Sequence, residues 1–201
     1  GGTTDLVNSV VPAGSTATWT PGAGKYGDGA YYFNTVSSGV GYAPSSNFVL
    51  GGGTGNFQIG AWVKLTALST YATLVAQDTL GNIRMLFRMR NNNGTPLFYF
   101  APNYPNTVAL AVGGPLNSMN TVNVWKYVCV QRSGNVFTVF VDGVPGTPVT
   151  YDATFVQLGC NLTIGVDGTS LADVFNGYIQ GFEISKPGVL LSTDGSHHPL
   201  Q

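Results

Sequence analysis

Charge is the scarcest property of this chain. Only 8% of its 201 residues are Asp, Glu, Lys or Arg, against about 25% in an ordinary soluble domain. The formal net charge of -1 removes any broad electrostatic pull on nucleic acid or on an anionic membrane surface. Polar surface must then come from amides and hydroxyls, and 16 Asn and 21 Thr are there to supply it. A surface with so little like-charge repulsion tends to associate. The composition therefore favours an assembly or an extracellular setting over a free cytosolic monomer.

Other absences narrow the field further. No apolar run reaches the roughly 18 residues of a membrane-spanning helix, so membrane insertion by a helix is not expected. No phosphate loop, G-x-S-x-G elbow, zinc-ligand spacing or EF-hand loop is present. His197 and His198 are the only histidines, adjacent and near the end of the chain, where a general base is poorly held; they read as exposed tail residues. Cys129 and Cys160 are the only cysteines. A bridge between them is possible if their strands lie close enough, at a Cα separation of about 5.5 Å; two buried free thiols are the equal alternative. The chain starts at Gly1 with neither an initiator Met nor a charged-then-apolar leader, which suggests a processed product or a segment.

What the chain has in quantity is turn formers and rings: 28 Gly, 11 Pro and 12% aromatic residues. With no long stretch of helical periodicity, this predicts an all-β chain with many turns. A chain of this length should bury on the order of 70% of its unfolded surface, enough for one domain without a disulfide framework or a metal. The clearest stretch is Trp125 to Gly143. Two alternating runs flank Arg132-Ser133-Gly134-Asn135, predicting an antiparallel hairpin with Val128, Val130, Phe137, Val139 and Val141 on the buried face and Asp142-Gly143 in the next turn. In Phe57 to Leu65 the odd positions Phe57, Ile59, Ala61, Val63 and Leu65 form a core face, opposite Gln58, Trp62 and Lys64. Leu74 to Gln77 and Ile83 to Arg90 form a further strand pair, and alternation puts Arg84, Arg88 and Arg90 on one side of the second. Trp19 is expected to pack inward. The domain is read as residues 1–186, followed by a tail, 187–201, that is loose or docks on a partner.

The hairpin pattern W-x-x-V-x-V-x-R, a Gly turn and a strand ending in V-D-G resembles the signature of laminin-G-like jelly rolls in the concanavalin A-like lectin and glucanase superfamily. Four more blocks follow that family's order: Gly24 to Phe33, Phe57 to Lys64, Leu162 to Gly165 and Phe175 to Ile184. The resemblance implies an all-β, two-sheet antiparallel jelly-roll sandwich. It fixes no function, because that superfold hosts many.

Some relatives of the superfamily hydrolyse glycans with two or three carboxylates alternating on one strand, about 5 Å apart. Glu183 is the only glutamate, and its neighbours Gly181 and Ser185 are not acids. The chain is therefore read as no enzyme. Many relatives bind calcium through loop aspartates, which makes Asp78, Asp167 and Asp173 candidate ligands, although Asp-Gly at Asp167 is also a plain turn. No cofactor is required. The arginine side, Arg84, Arg88 and Arg90, reads either as a solvated face or as a contact for an acidic saccharide or neighbouring subunit. Tyr42, Tyr99 and Tyr104 are candidates for sugar stacking. Asn93-Gly94-Thr95 and Asn161-Leu162-Thr163 match glycosylation acceptors. The leading expectation is a non-catalytic surface module, a decoration, fibre or attachment domain on a virion or cell, with other subunits or surface glycans as partners. The alternative is a glycan-binding, lectin-like module of a larger secreted protein, with or without calcium.

Overall fold

A computed structural model describes residues 14–34, 38–45, 48, 50, 55–79, 83–90, 93–101, 109–152, 160–167, 173–185 and 191–197, with the backbone alone at 79, 83, 84 and 90. The strands in chain order begin with β1 (Gly14–Ser15), β2 (Thr18–Pro21), β3 (Gly29–Phe33), β4 (Val40–Tyr42) and β5 (Phe57–Leu65). They continue with β6 (Tyr71–Thr79), β7 (Ile83–Arg90), β8 (Thr95–Ala101), β9 (Leu110–Gly113) and β10 (Lys126–Ser133). The last are β11 (Val136–Val141), β12 (Val144–Pro145), β13 (Val149–Thr150), β14 (Leu162–Ile164) and β15 (Gly177–Ser185). They form two antiparallel sheets, one seven-stranded in the order β1-β4-β14-β6-β7-β8-β9, the other with β12-β11-β10-β5-β15-β3-β2 and β13 beside β11. This is the all-β jelly-roll sandwich that the alternation and the resemblance predict.

The core forms because one face of each sheet is apolar at every second residue. Phe57, Ile59, Ala61, Val63 and Leu65 of β5, Val128 and Val130 of β10, and Phe137, Val139 and Val141 of β11 all point into it. Met85, Phe87 and Met89 of β7 and Phe98 and Phe100 of β8 meet them from the other sheet. Phe98 bridges the layers, its ring stacked 6.3 Å from Phe137 and tilted 6.5 Å from Phe57. Side chains of this size contribute about 1.5–3 kcal/mol each when fully buried, so the interface between sheets dominates stability. The hairpin β10–β11 pairs Val128 with Val141 through Ser133 with Val136, as its sequence predicts. Gly134, at φ 59, and Asp142, at φ 50, supply the left-handed turn positions.

Two features position the surfaces. β6 carries a bulge between Thr73 and Val75, which sends both Leu74 and Val75 into the core and reverses the parity of the strand. Tyr71 and Thr73 lie outward before the bulge, and Ala76 and Asp78 after it. The second feature is the segment 191–197, which returns as a strap across the outer face of the eight-stranded sheet. Gln131 Nε2 donates to the Leu191 carbonyl at 3.0 Å and Gly143 N to the Thr193 carbonyl at 3.0 Å.

The strap corrects the reading of the tail and of His197, and it covers one face of β5. Residues 191–197 dock on their own domain and are not a loose tail. The polar side of β5 is covered, leaving Gln58 fully buried and Trp62 nearly so. His197 lies against Tyr127 and is not an exposed tail residue; His198 lies outside the described residues. Trp19 also differs from expectation: it is 36% exposed, its ring 5.0 Å from Tyr31 and set over Gly29.

Candidate functional site

Arg88 organises the outer face of the seven-stranded sheet. It sits in the middle of β7, opposite Thr73 of β6 and Leu97 of β8. Diagonal neighbours in a sheet are within reach of long and aromatic side chains, and both diagonals here carry rings. The guanidinium carbon lies 4.0 Å from the centroid of Tyr71 and 5.4 Å from that of Tyr99. Its Nη1 donates to Asp173 Oδ2 at 3.1 Å. The side chains of Arg88 and Asp173 retain 16% and 21% exposure, so the pair is held by protein yet open to solvent on one edge.

Asp173 is placed by backbone. Its carbonyl accepts from Thr73 N at 3.1 Å, and Phe175 N donates to the Gly165 carbonyl at 2.8 Å. Val174 and Phe175 are buried behind it. The approach of β15 is thereby pinned to β6, and the carboxylate is carried over Arg88. Beside the ion pair, Ala76, Leu86, Tyr99 and Ala101 form a small apolar cluster on the same face. The arrangement is a cation between two rings with a carboxylate at its edge. Ala76, Leu86 and Ala101 are fully buried and Tyr99 nearly so, so the part open to a ligand is the edge of the ion pair, which can donate and accept hydrogen bonds side by side.

The candidates named from sequence distribute unevenly. Arg88, Tyr99 and Asp173, drawn from three separate arguments, come together. Arg84 stands opposite Asp78 in the register and Arg90 opposite Tyr71; their side chains are outside the described residues, as is Tyr104. Tyr42 faces the core, its ring 5.5 Å from Phe48, so it offers no stacking surface. The three aspartates do not converge as a calcium set. Asp173 is tied to Thr73 and Arg88, Asp167 is buried after β14, and Asp78 lies five residues along β6 from Thr73, about 17 Å at strand rise. Among the described residues no three His, Cys, Asp or Glu side chains gather as a metal site. Asn93 and Asn161 are both exposed.

The two cysteines are free, which corrects the possible bridge. Cys160 belongs to the core between the sheets, whereas Cys129 lies on the outer face with Trp62 and Tyr127. A sheet separates them.

A second polar cluster lies under the strap. Glu183 Oε1 accepts from the Tyr127 hydroxyl and is 2.7 Å from His197 Nε2. His197 Nδ1 is 2.6 Å from Ser192 Oγ. Gln58 Nε2 donates to Tyr127 Oη at 3.0 Å and Gln131 Nε2 to Gln58 Oε1 at 2.6 Å. Burial, with the nearby Glu183 charge, pushes the Tyr127 phenol well above its ordinary range. Burial first, and then the Glu183 and Asp194 charges, push up the Cys129 thiol. This network ties the strap to the sheet, and the lone glutamate is occupied in it.

Tyr71 is the residue that sequence reasoning missed. The alternation in β6 becomes readable only from Leu74, and the bulge hides that Tyr71 shares a face with Arg88. The one available signal was the aromatic residue at the start of a strand.

A family profile of the laminin-G type, described as the concanavalin A-like lectin/glucanases superfamily, matches residues 37–190. The chain belongs to that superfamily. Among solved structures it is similar to domain 4 of AbnA, a GH43 extracellular arabinanase from Geobacillus stearothermophilus, in complex with arabinotriose. That match has a TM-score of 0.67 at 18% identity over 92% of this chain and 81% of that one. Mouse laminin alpha1 chain domains LG4-5 match with a TM-score of 0.58 at 13% identity over 78% of this chain and 40% of that one. The receptor binding domain of botulinum neurotoxin D matches with a TM-score of 0.63 at 12% identity, over 88% of this chain and 44% of that one. These likenesses show the fold. In sequence, a probable LRR receptor-like serine/threonine-protein kinase of Arabidopsis thaliana is 26% identical over 148 residues, 63% of this chain. The chain spans 17% of that protein's length. Among the described residues no helix is long and apolar enough to cross a membrane.

Proposed function

We propose that this chain is a non-catalytic binding module that holds a saccharide on the outer face of its seven-stranded sheet, at Arg88. One observation carries the reading: the Arg88 guanidinium is pre-placed between Tyr71 and Tyr99 and fixed to Asp173. Carbohydrate sites combine an aromatic floor with a few convergent donors and acceptors, and holding them in place before binding lowers the ordering cost. The bound arabinotriose of the Geobacillus domain supports the class of ligand. An extracellular setting belongs to the same proposal, and a seat on a virion or cell surface beside other subunits is its finer form, supported by the low charge content.

A glycan array followed by calorimetry tests it, comparing the wild-type domain with Arg88→Ala. Binding is expected in the wild type and loss of about tenfold or more in the variant, the scale of one charge-assisted hydrogen bond with stacking. An arm with chelator reads any calcium contribution. No binding to any glycan by a folded wild-type domain would end the proposal.

A further inference from the structure

We infer that the Arg88 site selects uncharged saccharides, gripping two adjacent hydroxyls, and discriminates against uronic, sialic or sulfated sugars. This rests on the saccharide reading above and names the ligand class that the site's charge and geometry admit. An arginine exposed between two rings would by itself suggest an acidic ligand. Arg88 is not in that state, because Asp173 Oδ2 already stands 3.1 Å from its Nη1. The pair is formally neutral, and an incoming carboxylate or sulfate would meet Asp173 as a like charge at contact distance.

The backbone that carries Asp173 is fixed, and its carboxylate is held by Arg88. The Asp173 carbonyl is hydrogen-bonded to Thr73 N, and the next two residues, Val174 and Phe175, are buried. The cation is equally restrained. Tyr71 covers one face of the guanidinium, and Nε is buried away from solvent. What remains is an outward edge with guanidinium N–H donors beside a carboxylate acceptor. A hydroxyl both donates and accepts, so two neighbouring hydroxyls can satisfy the edge together: one receives from Arg88, the other donates to Asp173. An anionic group offers acceptors only and would leave the Asp173 carboxylate facing it without a proton between them. Along the same strand Arg84 also stands opposite an acid, Asp78, in the register. The whole chain, at a formal -1, adds no long-range pull on polyanions.

The test is calorimetry on matched pairs of neutral oligosaccharides and their uronate or sulfated counterparts, at about 0.15 and 0.5 M NaCl, where screening of exposed charges differs strongly. The wild type is expected to bind the neutral member at least tenfold more tightly and to change its Kd less than about twofold with salt. Asp173→Asn, which keeps the shape and removes the charge, is expected to weaken neutral binding and to raise binding of the acidic member. Tighter acidic binding by the wild type, with steep salt dependence, would overturn the inference while leaving the saccharide reading intact. Binding of neither class would remove both. The salt series on the wild type needs no variant, so a poorly folding Asp173→Asn does not blunt the test.

Discussion

The guanidinium carbon of Arg88 lies 4.0 Å from the ring centroid of Tyr71, and the two residues come from neighbouring strands on the same side of the β6 bulge, just before it. Stacking of this kind is worth about 0.5–2 kcal/mol. Tyr71→Ala is therefore expected to weaken saccharide binding by about 2- to 30-fold, because it frees the guanidinium to leave its orientation. Tyr71→Phe keeps the ring and should bind like the wild type. Calorimetry on both variants decides whether the ring or the hydroxyl matters.

The strap depends on a glycine. Gly195 has φ +75, and a Cβ there would stand 2.7 Å from the Trp62 ring and 2.8 Å from that of Tyr127. Gly195→Ala carries about 1–2 kcal/mol for the left-handed backbone alone, and the contact with two rings adds to it. Urea denaturation should show the loss. Thiol labelling of native protein should accelerate at Cys129, which lies close enough to Asp194 for that charge to act on its thiol. Unchanged labelling would mean that the strap does not shield this face.

Alkaline pH should destabilise the fold. Tyr127 and Cys129 both have folded pKa values raised by burial, and both are neutral when protonated. Their contribution is full below the ordinary values, about 8.5 for a thiol and about 10 for a phenol. Above those values the unfolded chain releases protons that the folded chain retains, so stability falls as pH rises towards the raised folded values. Denaturation between pH 7 and 10.5 should show a declining midpoint, and Cys129→Ala should reduce the decline that starts in the thiol range without removing it, because burial raises the Cys160 thiol too. A flat profile would contradict the burial of both groups.

The sandwich was legible where one face of a strand is greasy and the other is not. β5, β10 and β11 show this directly, since Phe57 to Leu65 and Val128 to Val141 alternate with period two. The covered outer face was not legible. Gln58, Trp62 and Lys64 look like a solvent side, and only the docked strap buries the first two. The site was half legible: Arg88 followed from alternation in β7, Tyr99 from aromatic content and Asp173 from its loop. Their meeting depends on the register of β6, β7 and β8 and on a backbone bond from Asp173 to Thr73, neither of which has a signature in residue order. The bulge at Thr73–Val75 also broke the period that would have placed Tyr71.

β5 lies between β10 and β15, pairing Lys64 with Tyr178 and Ile59 with both Val130 and Ile184. One of its ladders is thus closed by a strand made long after it, and pairings so remote in sequence slow folding. During synthesis, a ribosome that has delivered everything up to β14 still exposes an unpaired apolar ribbon along that flank, a template for sticking to other nascent chains. The domain can complete itself only when Gly177–Ser185 emerges, which makes this segment the step that ends its vulnerability to aggregation.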